Sequence, residues 1–327
     1  MIGPTRLCPQ GIGLILVDLD DTVLIDGTKM TERVIDTIAL ARERGVMTCV
    51  SSGRALHMVP KRLRGPETMD YLICANGAVV YDTIDGMLHE RLIPRERALA
   101  VMDAVEPLGA GWNAFVDGKS YFEWRSLSYL VTGRRQPLGG SDRLSGSDMR
   151  HALHTGAALH TKATMLRLRR AARFAKRIVQ HDDSMRQVFD IRPYIEVAEG
   201  GLLKMGCSLP SAKACERAID ILEHMGDFEI ARMSTTELEI TAKGATKGNA
   251  ATWLMERLGI EPACAVAFGD SENDATLAEV CGTFVAMGNA DRRVRELADD
   301  VCETVYDDGV ARWLERAMAE ADGASNV

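Results

Sequence analysis

The chain has 327 residues, of which 46% are hydrophobic and 26% charged, and it carries a net charge of -8. That length points to two domains with a sizeable core, and the acidic balance excludes nucleic acid or an anionic membrane surface as the main partner, since both call for a basic face. No apolar run approaches the roughly 18 residues that span a bilayer, and Met1–Gln10 lacks the charged start and apolar stretch of a signal peptide, so a cytoplasmic protein is expected. The eight cysteines form no close pairs and several sit in apolar runs, so they read as core thiols of a reducing compartment.

Ile12–Val17 is an apolar run that stops at Asp18-Leu19-Asp20-Asp21-Thr22. A buried strand ending in carboxylates presents them at the sheet edge, where open parallel sheets bind ligands. Thr31 opens a helix with Val34, Ile35, Ile38 and Ala41 on one face, closed by Gly45. Val46–Ser52 is a second strand, followed by a helical stretch carrying Leu56 and Val59. Tyr71–Ala75 is a third strand ending in Asn76-Gly77, and Ala78–Tyr81 returns antiparallel.

Beyond Asp85-Gly86 the pattern changes to helices around Arg95–Val105 and Ser211–His224, mixed with short strands at Ser120–Trp124, Ala163–Leu168, Tyr194–Val197 and Leu238–Thr241. Thr132–Asp148, rich in Gly, Ser, Arg and Asp, reads as the least ordered part. His151, His154 and His160 have no nearby cysteine or carboxylate to complete a metal site and read as solvated surface. Alternation then resumes. Thr246 caps a helix closed by Gly259, Ala263–Phe268 ends in Gly269-Asp270, and a helix follows at Asn273–Val280. Thr283–Ala286 and Val301–Thr304 complete the strands, with helices from Asp291 and over Gly309–Ala319. The expected fold is α/β: a Rossmann-like parallel-sheet core, residues 1–85 and 243–327, carrying an inserted α+β cap over 86–242.

Three acids in four positions repel one another unless a cation lies among them, and a hard divalent ion with oxygen ligands is the simplest one. Asp18 can attack phosphorus once the phosphoryl charge is neutralised. Asp20 can protonate the leaving oxygen and then take a proton from water. Mg²⁺ on Asp18, Asp270 and the backbone carbonyl of Asp20 would bring the groups together, Ser52 can hydrogen-bond a phosphoryl oxygen, and Lys247 at a helix start can neutralise phosphate. Arg54 reads as a structural ion-pair partner.

The pieces Asp18-Leu19-Asp20-Asp21-Thr22, Ser52-Gly53-Arg54, Asn76-Gly77-Ala78, Lys247-Gly248, Gly269-Asp270-Ser271-Glu272-Asn273-Asp274 and Met287-Gly288-Asn289-Ala290 occur in one order. Together they resemble the haloacid dehalogenase (HAD) superfamily phosphatases of the Cof type, with a large cap inserted after the third core strand. The resemblance implies Asp18 as nucleophile, Asp20 as general acid/base, and Ser52, Gly53, Lys247 and Asn273 around the phosphoryl group. It further implies Mg²⁺ on Asp18, Asp20 and Asp270, support from Thr22, Asp274 and Asn76, and a small phosphorylated metabolite, such as a sugar phosphate, as substrate. Two positions depart from the pattern: Asp21 stands where glycine is common, and Ser52 where many relatives carry threonine. A phosphosugar mutase and a non-catalytic phosphate-binding regulatory module are the alternatives; Asp20 beside Asp18, Lys247 and Asp270 favours turnover over the module.

Overall fold

The computed structural model describes residues 11–126 and 184–324. The expected strand at Ala163–Leu168, the segment Thr132–Asp148 and His151, His154 and His160 lie outside the described residues. The chain divides into two compact units, Met1–Arg91 with Thr241–Val327, and Leu92–Ile240.

In the first unit, β1 (Leu14–Val17), β2 (Met47–Ser51), β3 (Tyr71–Cys74), β4 (Val79–Asp82) and β5 (Gly86–Glu90) precede the insertion. After it come β12 (Ala265–Gly269), β13 (Thr283–Ala286) and β14 (Asp300–Val301). They form one eight-stranded sheet in the order β14-β13-β12-β1-β2-β3-β4-β5. All pairings from β14 to β3 are parallel, and β4 and β5 add an antiparallel hairpin. All four residues of β1 are buried, as expected of a strand with neighbours on both edges and helices on both faces. The chain steps outward from β1 through β2 to β3, and in the opposite direction from β12 to β14. Right-handed crossovers then put the two sets of connecting helices on opposite faces, and the adjacent tips of β1 and β12 become the topological switch point.

Helix α1 (Glu32–Glu43) is capped as its sequence dictates, with the Thr31 hydroxyl accepting from the Val34 amide. The stretch carrying Leu56 and Val59 is two short 3₁₀ turns, Leu56–Met58 and Lys61–Leu63, because Pro60 forces an extended residue between them. β5 pairs with β4 in this sheet, so the division falls after Arg91 where residue 85 was expected, and before Thr241 where 243 was expected. Five residues after a turn are too few to show their partner in sequence.

The second unit holds α2 (Arg95–Val105), β6 (Gly111–Val116), β7 (Lys119–Glu123), β8 (Met185–Val188), α3 (Arg192–Glu196), β9 (Leu202–Ser208), α4 (Ala212–Met225), β10 (Phe228–Ser234) and β11 (Glu237–Ala242). Its sheet runs β10-β11-β9-β6-β7-β8. The strand expected at Tyr194–Val197 is the helix α3. Pro193 suits a first helical turn, and the four-residue spacing of Ile191 and Ile195, both fully buried, is helical. Trp112 is core, also fully buried.

Glu123 is buried here and accepts from the Trp112 and Ile191 amides at 3.0 and 3.2 Å. Burial pushes its carboxyl up from 4.5 to about 7, against the lowering effect of those two amides. The folded chain therefore holds this proton more tightly than the unfolded chain. Its contribution to stability is complete below about pH 4.5 and lost as pH rises through about 7. Glu123→Gln is expected to flatten that part of the stability curve, measured by urea unfolding at pH 5 and pH 8; an unchanged slope would assign it to other groups.

Six described cysteines, Cys49, Cys74, Cys207, Cys215, Cys281 and Cys302, are free and buried. Cys264 is disulfide-bonded, which departs from the reading of all eight as core thiols.

Candidate active site

After the insertion the first unit resumes at Thr241; its helices from there are α5 (Lys247–Leu258), α6 (Ala275–Ala278), α7 (Arg292–Leu297) and α8 (Gly309–Ala324), set among the strands. Asp18 is the first residue past β1, and its amide still donates to Phe268 of the neighbouring β12 at 3.1 Å. That bond fixes the backbone at the sheet edge and leaves the carboxylate, 5% exposed, at the switch point. Lys247 begins α5, whose cap is the Thr246 hydroxyl accepting from the Asn249 amide at 3.1 Å. Its ammonium is fully enclosed and donates to Asp18 Oδ1 at 2.7 Å and Asp274 Oδ1 at 2.6 Å. The other oxygen of Asp274 accepts from the Asp270 and Ser271 amides at 3.1 and 3.2 Å. Gly269 makes this possible, because a Cβ there would lie 2.4 Å from the Asp274 carboxyl carbon.

Carboxylate oxygens of Asp18, Asp270 and Asp274 all lie within 4.8 Å of one another. One ammonium faces three carboxylates. Burial first, then repulsion from Asp274 and Asp20, raises Asp18 to about 7 despite Lys247. Burial first, then Asp18, Asp274 and Asp21, raises Asp270 to about 8. Burial alone would lower the Lys247 pKa, but Asp18 and Asp274 outweigh it and hold the ammonium charged. Buried acids pushed up in this way mark a site short of positive charge, which a hard cation with oxygen ligands fits. Asp274 is the poorer candidate ligand of the three, since both its oxygens are already engaged.

The Asp20 carboxylate stands outside this cluster. Arg54 grips it with two bonds, Nε to Oδ2 at 2.8 Å and Nη2 to Oδ1 at 2.6 Å. Arg54 is buried and further tied to the Met58 and Gly27 carbonyls at 3.0 and 2.7 Å. A guanidinium fork with every arm used holds a half-exposed carboxylate in one place. Asp21 adopts a φ of 59°, a left-handed turn that explains why glycine suits this position and why Asp is tolerated. Asn289 braces the same loop, its amide donating to the Asp21 carbonyl at 2.7 Å.

Ser52 is buried past the end of β2 and its oxygen accepts from the Arg54 amide at 3.3 Å, which leaves its O–H able to donate elsewhere. Asn273 accepts from the Ser271 hydroxyl at 2.7 Å and donates to Asn76 at 3.1 Å. Thr22 is buried, and its hydroxyl has no partner among the described residues. The structure thus gathers Asp18, Lys247, Asp270 and Asp274 into one cluster, while the Asp20 carboxylate is directed to Arg54. Sequence reasoning left two details unseen: that the partner of Arg54 is Asp20, and that Asn289 props the Asp21 loop. Arg54 within Ser52-Gly53-Arg54 was the available signal for the first; nothing in the sequence pointed to the second.

Residues 15–314 match the family described as haloacid dehalogenase-like hydrolase. Phosphatase YwpJ of Bacillus subtilis is 25% identical over 305 residues, covering 93% of this chain and 99% of the relative. The 5-amino-6-(5-phospho-D-ribitylamino)uracil phosphatase YcsE of the same organism is 24% identical over 303 residues, 93% of this chain and 94% of the relative. Among solved structures, a haloacid dehalogenase-like hydrolase from B. subtilis superposes with a TM-score of 0.72 at 22% identity, over 93% of this chain and 99% of that one.

Proposed function

The chain belongs to the haloacid dehalogenase-like hydrolases of the Cof type and is a phosphoric monoester hydrolase, and from that premise we propose that it cleaves a small phosphorylated metabolite by way of an aspartyl-phosphate on Asp18, with Mg²⁺ as cofactor. The observation that carries this is the cluster of Asp18, Asp270 and Asp274, two of whose carboxylates, Asp18 and Asp274, share the single ammonium of Lys247.

Asp18 Oδ attacks phosphorus and the ester P–O bond breaks, its electron pair leaving on the alcohol oxygen. Asp20, protonated and released from the Arg54 fork that holds both its oxygens in this structure, gives that oxygen a proton. Water then attacks the aspartyl-phosphate, its proton passing to Asp20, and the Asp18 carboxylate is restored. Ser52, Gly53, Lys247 and Asn273 hold the phosphoryl oxygens, and Lys247 offsets the charge that gathers there. Asp18, Asp270 and the Asp20 backbone carbonyl would hold Mg²⁺, which supplies charge neutralisation at the phosphoryl oxygens. Thr22, Asp274 and Asn76 support these groups, Asp274 by fixing Lys247. Choice of leaving group is assigned to the inserted unit, taken as a cap, and a sugar phosphate is the substrate class favoured; a relative in the solved structures is named a HAD subclass IIB sugar phosphatase.

The test is release of inorganic phosphate from p-nitrophenyl phosphate and a panel of sugar phosphates, with and without Mg²⁺. Metal-dependent release supports the reading. Isomerised sugar phosphate in place of free phosphate would move the protein to the mutases, and no release over a wide pH range would sink it.

Metal should also show in stability. Asp18 and Asp270 favour their neutral forms in the fold, so their stabilising contribution is present below about pH 4 and lost as pH rises through about 7 and about 8. Mg²⁺ binds the charged forms and is expected to raise Tm more at pH 8 than at pH 5. Equal shifts at both, by scanning calorimetry, would place the metal elsewhere.

A further inference from the structure

Among the described residues, only Ala75, Asn76 and Gly77 form a run of three with positive φ, at 50°, 58° and 99°. Left-handed alanine persists only where surrounding contacts hold it, and such backbone concentrates at functional sites. Here the contacts reach every loop of the phosphate-binding set. The Ala75 amide donates to the Arg54 carbonyl at 2.8 Å, and the Asn76 amide to the Ser52 carbonyl at 3.1 Å. Gly77 lies against the peptide that starts α5: a Cβ there would stand 2.0 Å from the Thr246 oxygen and 3.0 Å from the Lys247 nitrogen. Asn76 is 5% exposed, and its side-chain oxygen accepts from Asn273.

A primary amide has one oxygen and two N–H groups. The Asn273 oxygen accepts from Ser271 and one N–H goes to Asn76, so the amide is held at both ends and one N–H is unclaimed among the described residues. We infer that Asn76 is a positioning residue that acts through Asn273, holding that remaining N–H toward a phosphoryl oxygen without touching substrate itself. The same turn sets Ser52 and Lys247 at a common spacing, through the Ser52 carbonyl and the Thr246–Lys247 peptide. The inference rests on the phosphate site proposed above.

The test is calorimetric titration of inorganic phosphate into the Mg²⁺-supplemented protein, alongside p-nitrophenyl phosphate kinetics. Asn76→Gly keeps the left-handed turn, which glycine adopts freely, and removes only the amide. It is expected to weaken phosphate binding about three- to tenfold, the worth of one hydrogen bond. Asn273→Ala is expected to cost as much or more, and adding Asn76→Gly to it to cost nothing further. Ser271→Ala, which frees the other end of the same amide, is expected to weaken phosphate in the same direction. An equal loss from Asn76→Gly in both backgrounds, unchanged binding in that variant, or no phosphate binding by the unaltered chain would overturn the inference. Phosphate binding without metal-dependent turnover would instead remove the hydrolase reading and leave this one standing on its binding data.

Discussion

Asp18→Asn is expected to lower turnover by on the order of 10⁵-fold or more while leaving the protein at least as stable as before. The activity loss follows from the role proposed for Asp18. An amide is no nucleophile toward phosphorus, and removing the attacking group of a covalent mechanism forfeits most of the rate enhancement. The stability effect follows from the electrostatics. Burial and neighbouring acids raise Asp18 to about 7, so at pH 8 the fold carries a charge it disfavours. Asparagine is neutral and nearly isosteric, and its oxygen can still accept from Lys247. Relief of that charge is worth up to a few kcal/mol above pH 7 and nothing at pH 4, where the native carboxyl is already neutral. The checks are steady-state phosphate release and Tm at the two pH values. Residual turnover within a hundredfold of wild type would remove Asp18 as nucleophile, and a lower Tm at pH 8 would remove the account of its charge.

Lys247→Met is expected to have the opposite effect on stability with a similar loss of activity. Methionine fills most of the volume but leaves Asp18 and Asp274 without the ammonium that bonds to both. Removing one partner of a buried ion pair costs about 3–5 kcal/mol, because the charge left behind is neither solvated nor matched. Asp18, already raised by burial, would lose the ammonium that lowers it and be pushed further up, so the variant loses stability as pH rises from about 4 and recovers part of it in acid. Denaturant unfolding at pH 5 and pH 8 measures this. A variant as stable as wild type at pH 8 would show that the cluster does not depend on Lys247. Taken together, Asp18→Asn and Lys247→Met separate the two halves of the site: one removes a charge that the fold resists, the other a charge that the fold requires.

The element pattern was legible where local chemistry was strong. Thr31, Ser211 and Thr246 cap the helices they precede, each hydroxyl accepting from an amide three residues on, and Gly226 and Gly259 close theirs in the left-handed conformation. Thr283–Ala286 matched residue for residue. Errors fell where two periods compete over few residues. Tyr194–Val197 reads as alternating apolar residues but coils as α3, and Gly86–Glu90 reads as the start of the insert but extends the first sheet. In the second unit, β6 and β9 contain glycines and polar residues that hide their alternation, although they pair over six positions.

By itself the sequence singled out the residues proposed to carry the chemistry: acids directly after an apolar strand, a lysine at a helix start and a second acidic loop after another strand admit few reactions. Only the tertiary structure decided which of those charges meet. It turned the Asp20 carboxylate to Arg54, put Asp274 and not Asp20 against Lys247, and linked Asn76 to Asn273 across 197 residues of chain. The reason is that side-chain identity is a local property, whereas pairing depends on where parallel strands and their loops place partners far apart in sequence, down to a single Cβ that Gly77 and Gly269 must lack.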